Sequence, residues 1–194
     1  MIREQFLYFA QYPAKDGVCA ILTNGTSDTP GYNELLQKLQ QLPQKSRLPE
    51  IDNYVYGQSF DELQERISRL QGSYLFVDYG ELNMNGDSRN SFVYNQRIAI
   101  TIARKMPNRS DAADYMLSSD HTLRLLALLH AHIMADAEEG KVPWFSRDYL
   151  DKAEIIPFVA SELSSVGWTL MLECPAPDTL NTHQLYRSFL KHNE

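Results

Sequence analysis

The sequence predicts an α+β fold. Its sheet is mostly antiparallel, built from two β-hairpins, and packed by a long central helix and additional N-terminal helices. Three observations lead there. Residues 73–105 and 154–177 alternate apolar and polar side chains with the period of two that a half-buried strand requires. Between them, residues 118–139 carry apolar side chains at helical spacing. The strands are linked as hairpins, without a βαβ rhythm, so helices and sheet should segregate.

Taken in order, GVCAILT (17–23) is a candidate strand closed by the turn-forming pair Asn24-Gly25. In TPGYNELLQKLQQLP (29–43), Thr29 can cap a helix, Pro30 suits its first position and Pro43 forbids continuation. Tyr32, Leu35, Leu36, Leu39 and Leu42 form one apolar face there. Residues 44–58 show no period and read as a connector. A second helix opens with Ser59-x-x-Glu62, a capping box. Phe60, Leu63, Ile67 and Leu70 form its stripe, Glu62–Arg66 and Glu65–Arg69 are stabilising i,i+4 pairs, and Gly72 ends it.

Asn85-Gly86 favours a two-residue hairpin turn. Such a turn pairs positions whose numbers sum to 171, with Tyr79 opposite Phe92. Leu75, Val77, Tyr79, Phe92, Tyr94, Ile98, Ile100 and Ile102 then share the core face. Gln96 falls among them, while Tyr74, Phe76 and Val93 fall on the other face; a β-bulge would shift the register. The central helix is expected from about Ser118 or Asp120 to Glu139, ended by Gly140. KVPWFSRDYLDKA (141–153) is a loop with about one helical turn. In the second hairpin Trp168, Leu170 and Leu172 alternate with Thr169, Met171 and Glu173, and Pro157 pushes the first strand to an edge or a bulge. After Pro177 the chain forms either a short helix burying Leu185 and Phe189 or a frayed tail.

The chain of 194 residues suits one compact domain, or one with an extension. The expected partition is an N-terminal segment, 1–58, and an α+β domain, 59–194, or the two as one continuous domain. Lys and Arg number 18 against 25 Asp and Glu, a net charge of -7. The densest basic stretch is only ARKMPNR (103–109), which argues against nucleic acid as a partner. The first residues lack the pattern of a signal peptide, and no window has the 18 or so uninterrupted apolar residues of a membrane span. Cys19 and Cys174 lack metal-type spacing; two reduced thiols in a cytoplasmic protein are expected, although a disulfide stays open.

His130 and His132 tempt a metal reading. On an unbroken helix they project roughly 160° apart, so they cannot chelate one ion. His130 falls among Leu123, Leu126, Ile133, Met134 and Ala137, and His132 falls with His121, Asp136 and Glu139 on the polar face. An i,i+4 contact between His132 and Asp136 is within reach. ELNMNGD (81–87) mimics a calcium loop, but its twelfth position is Phe92, so a hairpin turn is expected instead. TNGTSDTPG (23–31) lacks the lysine of a phosphate loop and reads as a capped turn. Asp78, the one acid in an apolar strand, is expected to face solvent or a subunit boundary. Tyr54, Tyr56 and Phe60, with Trp144 and Phe145, are either an interaction surface or local core. No residue is assigned as catalytic, cofactor-binding or metal-binding, and no cofactor is expected.

From Ser59 to Pro175 a helix precedes the strand YLFVDYGELN and the long strand NQRIAITIARK; the amphipathic helix HTLRLLALLHAHIMA and a hairpin ending in GWTLMLEC follow. In this order the chain resembles the small α+β tail-terminator and tail-completion proteins of bacteriophages and prophages. The resemblance rests on element order, carries over no functional residue, and leaves residues 1–58 as an addition to the family pattern. It implies a ring-forming structural protein at the end of a tail tube, without catalysis or cofactor. Other copies of the chain and tail or head–tail subunits are then its partners, in the cytoplasm or the virion. Two further classes stay open: a cytoplasmic adaptor using the aromatic loops, and an enzyme or ligand-binding domain using Asp78, His132 and Asp136. The uncharged centres of RIAITIA (97–103) and WTLMLE (168–173) suggest open sheet edges. Either a neighbouring copy or the N-terminal helices would cover them.

Overall fold

A computed structural model of the chain describes residues 2–19, 27–58, 60–86, 92–106, 111–145 and 150–175. Three short helices come first: α1 (Ile2–Phe9), α2 (Lys15–Cys19) and α3 (Tyr32–Gln40). Then follow β1 (Asn53–Gly57), α4 (Phe60–Arg69), β2 (Ser73–Asp78), β3 (Leu82–Gly86) and the long β4 (Phe92–Lys105). Helix α5 (Ala112–Glu138) precedes the hairpin of β5 (Glu154–Ala160) and β6 (Ser165–Pro175). The sheet order is β1-β2-β4-β6-β5, with β3 also pairing β4. The α+β class is as expected, and all its pairs are antiparallel except β1 with β2.

That parallel pair departs from the expected pattern. Residues 53–57 form a strand inside the stretch read as a connector, so β1, α4 and β2 make one βαβ unit. Helix α4 thereby covers the second face of the sheet. Ile67 packs there with Val55, Tyr74, Phe76, Ala103 and Leu163, which accounts for Tyr74 and Phe76 on the supposedly polar side. Residues 17–19 belong to a helix rather than a strand; residues 20–23 lie outside the described part. Gly31, at φ 84, is the N-cap of α3, and no side chain caps it, so Thr29 does not serve. The Ser59–Glu62 capping box and the side chains of Phe60 and Leu63 lie outside the described residues, but the Glu65–Arg69 pair forms. The C-terminal helix or tail lies outside them too.

The first hairpin keeps its expected faces in β2, exchanges them in β3, and loses its expected register. Val77 stands opposite Ile100, and Gly86 lies within β3 opposite Phe92, so Asn85-Gly86 is not the turn. Between β2 and β4 the paired numbers sum to 177 instead of 171, an even slip that leaves β2 on its expected face; between β3 and β4 they sum to 178, an odd slip that exchanges the faces of β3. Leu75, Val77, Ile98, Ile100 and Ile102 are all buried in the main core. A bulge separates β2 from β3: from Asp78 to Leu82 one strand advances four residues while β4 advances three, from Ala99 to Gln96. Gly80 sits in the bulge at φ 51, where a Cβ would stand 2.2 Å from the Arg97 carbonyl oxygen. Asp78 Oδ1 accepts from the Gly80 N–H at 2.8 Å and fixes the bend.

Gly80→Ala should therefore cost roughly 1–3 kcal/mol or more, through left-handed strain and the backbone clash. Gly140 has φ 71, but a Cβ there would meet nothing within 4 Å, so Gly140→Ala should cost only the strain, about 1–2 kcal/mol. Urea midpoints of the two variants check the ranking.

Helix α5 begins before the expected start. Asp111 caps it by accepting from the Ala113 and Asp114 N–H groups at 2.9 and 3.1 Å. Its first turns are exposed from Ala112 to Leu117, so no apolar stripe announces them. It ends as Gly140 predicts, in a Schellman pair. The Lys141 N–H bonds the Asp136 carbonyl at 2.9 Å and the Gly140 N–H bonds the Ala137 carbonyl at 3.1 Å. Leu125, Leu126, Leu129 and Ile133 pack on the sheet face that carries Ile100, Leu170 and Leu172. Phe6, Phe9, Tyr12, Val18, Ile51 and Tyr54 complete the same core.

The second hairpin forms as expected, with Trp168 opposite Pro157 and β5 at the edge of the sheet. RIAITIA and WTLMLE are interior strands, flanked on both sides, and are not the open edges they were expected to be. Among the described residues, no helix is long and apolar enough to cross a membrane.

Candidate functional site

Asp136 is the most buried acid on α5, only 5% exposed. The polar face expected for it is instead covered by α1 and the segment that follows α3. Backbone bonds place that segment: Arg47 N–H to the Gln11 carbonyl and Leu48 N–H to the Tyr12 carbonyl, each 2.9 Å. Arg47 is thereby brought to Asp136, across 89 residues of chain.

The resulting hydrogen bonds form a closed circuit. Arg47 Nη1 donates to Asp136 Oδ2 and, at 3.3 Å, to the Tyr12 hydroxyl. Tyr8 Oη donates to Asp136 Oδ2 at 2.8 Å. With the Tyr8 proton so placed, the 2.9 Å contact between the two hydroxyls has Tyr12 donating to Tyr8. The guanidinium also lies over both rings, 5.8 Å from the Tyr8 centroid and 5.3 Å from that of Tyr12. Lys141 Nζ stands 3.7 Å from Asp136 Oδ1 and pairs with Glu139.

Burial by itself works to raise the Asp136 pKa. Hydrogen bonds from Arg47 and Tyr8, with the charges of Arg47 and Lys141, outweigh it and hold the carboxyl below its ordinary value. Tyr8 is pushed far up by burial, then by Tyr12 and Asp136. Tyr12 is raised by burial, with the Tyr8 hydrogen bond and Arg47 opposing. An ionised carboxylate with both oxygens engaged and two hydroxyls that hold their protons are poor acids and bases near neutrality. The geometry is that of a clasp, fixing residues 8, 12 and 47 onto α5.

Two more ties join the same parts. Glu50 Oε2 lies 3.4 Å from His121 Nε2 and 3.6 Å from Arg124 Nη2. Gln5 Nε2 donates to Gln96 Oε1 at 2.9 Å, and Gln96 Nε2 donates to the Tyr79 carbonyl at 2.7 Å. This network satisfies the glutamine that falls on the apolar strand face.

The remaining candidates scatter. No hydrogen bond joins His132 to Asp136 among the described residues; the His132 ring lies 5.9 Å from that of Tyr12. His130 is half-buried, and its Nε2 is unpaired among the described residues. Asp78 holds the bulge and is far in sequence from the clasp. Residues 82–86 of the calcium-like stretch are strand β3. Tyr54 and Phe145 are buried, and Tyr56 and Trp144 pack against the core, so these aromatics serve packing. Cys174 is free and buried, its thiol pushed up to about 12 by burial and then by Glu173; the side chain of Cys19 lies outside the described residues. A cavity of about 600 Å³ opens beside Lys105, Gly72 and Glu162, apart from every one of these groups. Lys105 donates there to the Leu163 carbonyl at 2.8 Å.

Tyr8, Tyr12 and Arg47 carry no signal in the sequence. Asp136 does carry one, since it continues the stripe Leu125, Leu129 and Ile133, and a carboxylate in a buried stripe requires a cation. Compared with known proteins, the chain matches no family, no curated protein and no solved structure.

Proposed function

We propose that the protein is a non-enzymatic structural protein that works as a homo-oligomer, in the manner of a tail-terminator or tail-completion subunit. The observation that carries this reading is the apolar surface left around the β5 edge. Ile155, Ile156 and Val159 are 42%, 44% and 57% exposed on that strand. Met116 and Leu117, each 63% exposed, lie on the first turns of α5. Trp168 Nε1 donates to the Ser119 carbonyl at 3.0 Å, which ties those turns to the strand beside β5. Ile155 and Val159 point to one face of the sheet and Ile156 to the other; aliphatic exposure along an edge strand favours association with another chain, while the buried charges of the clasp are spent within the chain. The ring form and the tail role rest on the resemblance of residues 59–175.

Light scattering on the full chain should give a mass that is a multiple of 22.3 kDa, and negative-stain images should show closed rings. A strict monomer at high micromolar concentration overturns the assembly reading. A stable oligomer without rings overturns the tail-terminator form alone.

A further inference from the structure

We propose that the cavity beside Lys105 binds a small zwitterion of the amino-acid class, its carboxylate taken by Lys105 and its ammonium by Glu162. The site goes beyond the homo-oligomeric reading above and does not depend on it.

The walls come from parts of the fold that meet at the end of β4. Lys105 follows Ala103 on the face of β4 that α4 covers. The end of α4 and the turn after it supply Ser68, Leu70 and Gln71, and the connection between β5 and β6 supplies Glu162, Leu163 and Ser164. Backbone bonds pin both turns to β4 and the residue after it. The Lys105 N–H donates to the Gly72 carbonyl at 2.9 Å, and the Met106 N–H donates to the Ser164 carbonyl at 2.6 Å. The cavity is therefore framed by the sheet itself, and its volume of about 600 Å³ lies in the range of small-molecule sites.

Charge selects the ligand. Among the described residues that line the cavity, Lys105 is the one cation and Glu162 the one anion. Lys105 is half-buried, and its Nζ donates to a neutral acceptor, the Leu163 carbonyl, at 2.8 Å. Burial holds the ammonium below the ordinary lysine value, as expected of a desolvated charge that no carboxylate offsets. Glu162 is exposed at the rim, and no ion pair joins it to Lys105 among the described residues. The two opposite charges thus face one space without meeting across it. A ligand charged at both ends completes both. A simple anion satisfies Lys105 and is repelled by Glu162, and a polyanion such as a nucleotide meets the same repulsion with a single cation to hold it. Leu70 and Leu163, half-buried and buried, give an apolar wall for the rest of the molecule.

The test uses the full chain and free amino acids, both the α-amino acids and straight-chain ω-amino acids, each at about 10 mM in thermal unfolding. At least one should raise the unfolding midpoint, and titration calorimetry then gives its Kd. The same compound without its amino group, and the same compound without its carboxylate, should each bind at least about tenfold more weakly. Glu162→Gln, at an exposed position, should weaken binding by about tenfold and erase the preference for the amino-bearing compound over its deaminated analogue. Lys105→Met should abolish binding, with circular dichroism to verify folding; if that variant does not fold, Glu162→Gln decides alone. No shift of the midpoint with any amino acid overturns the site, and so does binding that Glu162→Gln leaves unchanged. Acetate or inorganic phosphate that binds as tightly as the amino acid would mark a plain anion site and overturn the zwitterion. None of these outcomes bears on the mass of the assembly, so the homo-oligomeric reading stands or falls separately.

Discussion

A chain that begins at Ser59 will fail to fold. If residues 1–58 were an addition to a self-sufficient α+β domain, as the tail-terminator resemblance implies, such a chain would stay soluble and assemble. The structure places Phe9, Tyr12, Val18, Ile51 and Tyr54 in the main core at 0% exposure, with Phe6 at 8%. Each buried side chain of this size contributes about 1.5–3 kcal/mol, so together they match roughly the whole 5–15 kcal/mol that separates a folded domain from its unfolded chain. Removal also strips β1 from β2, leaving Tyr74, Leu75, Phe76 and Val77 on a new edge. Gln96 loses its buried partner Gln5, and Asp136 loses Tyr8 and Arg47. The expected result is insoluble material, or a chain that lacks a sharp urea transition and dispersed NMR signals while the full-length protein has both. A truncated chain that unfolds cooperatively would show that the first 58 residues are dispensable.

What the sequence disclosed and concealed follows from the range of each interaction. Periodicity is local, so the core positions Leu75, Val77, Ile98, Ile100 and Ile102 were legible, as were the β5–β6 hairpin and the body of α5. Register is not local. Asn85-Gly86 is a strong turn signal, yet both residues pair within β3, Gly86 opposite Phe92, and the bulge at Gly80 absorbs an extra position. Strand β1 was hidden for a different reason. NYVYG is short and follows a polar stretch, and only its parallel partner, 21 residues on, makes it a strand. The early turns of α5 escaped notice because their cap, Asp111, precedes residues that bury nothing. The clasp lies furthest from sequence view: its carboxylate, hydroxyls and guanidinium come from three segments, and no spacing rule links Tyr8, Arg47 and Asp136. Only the misfit of one acid in an apolar stripe points toward it.

Asp136→Ala should destabilise the protein by about 3 kcal/mol near neutral pH. Breaking a buried ion pair by removing one member typically costs about 3–5 kcal/mol, because the other charge is left in a low-dielectric site. Arg47 keeps 29% of its side-chain surface in water, which places the expected loss at the lower end. The Tyr8 hydroxyl also loses its acceptor. Replacing both members, Arg47→Met with Asp136→Leu, should cost much less than the single change, since no charge is stranded. The pH dependence separates this from simple cavity formation. The Asp136 pKa in the folded chain lies below its unfolded value of 3.8. Its contribution is therefore complete above that value and is lost as pH falls through the folded pKa. The stability gap between the parent chain and Asp136→Ala, read from urea unfolding, should stay level from about pH 5 to pH 7 and narrow below about pH 4. An equal gap at pH 3 and pH 7, or a loss under about 1 kcal/mol at neutral pH, would mean that the carboxylate holds nothing in place and that residues 8, 12 and 47 are kept on α5 by packing alone.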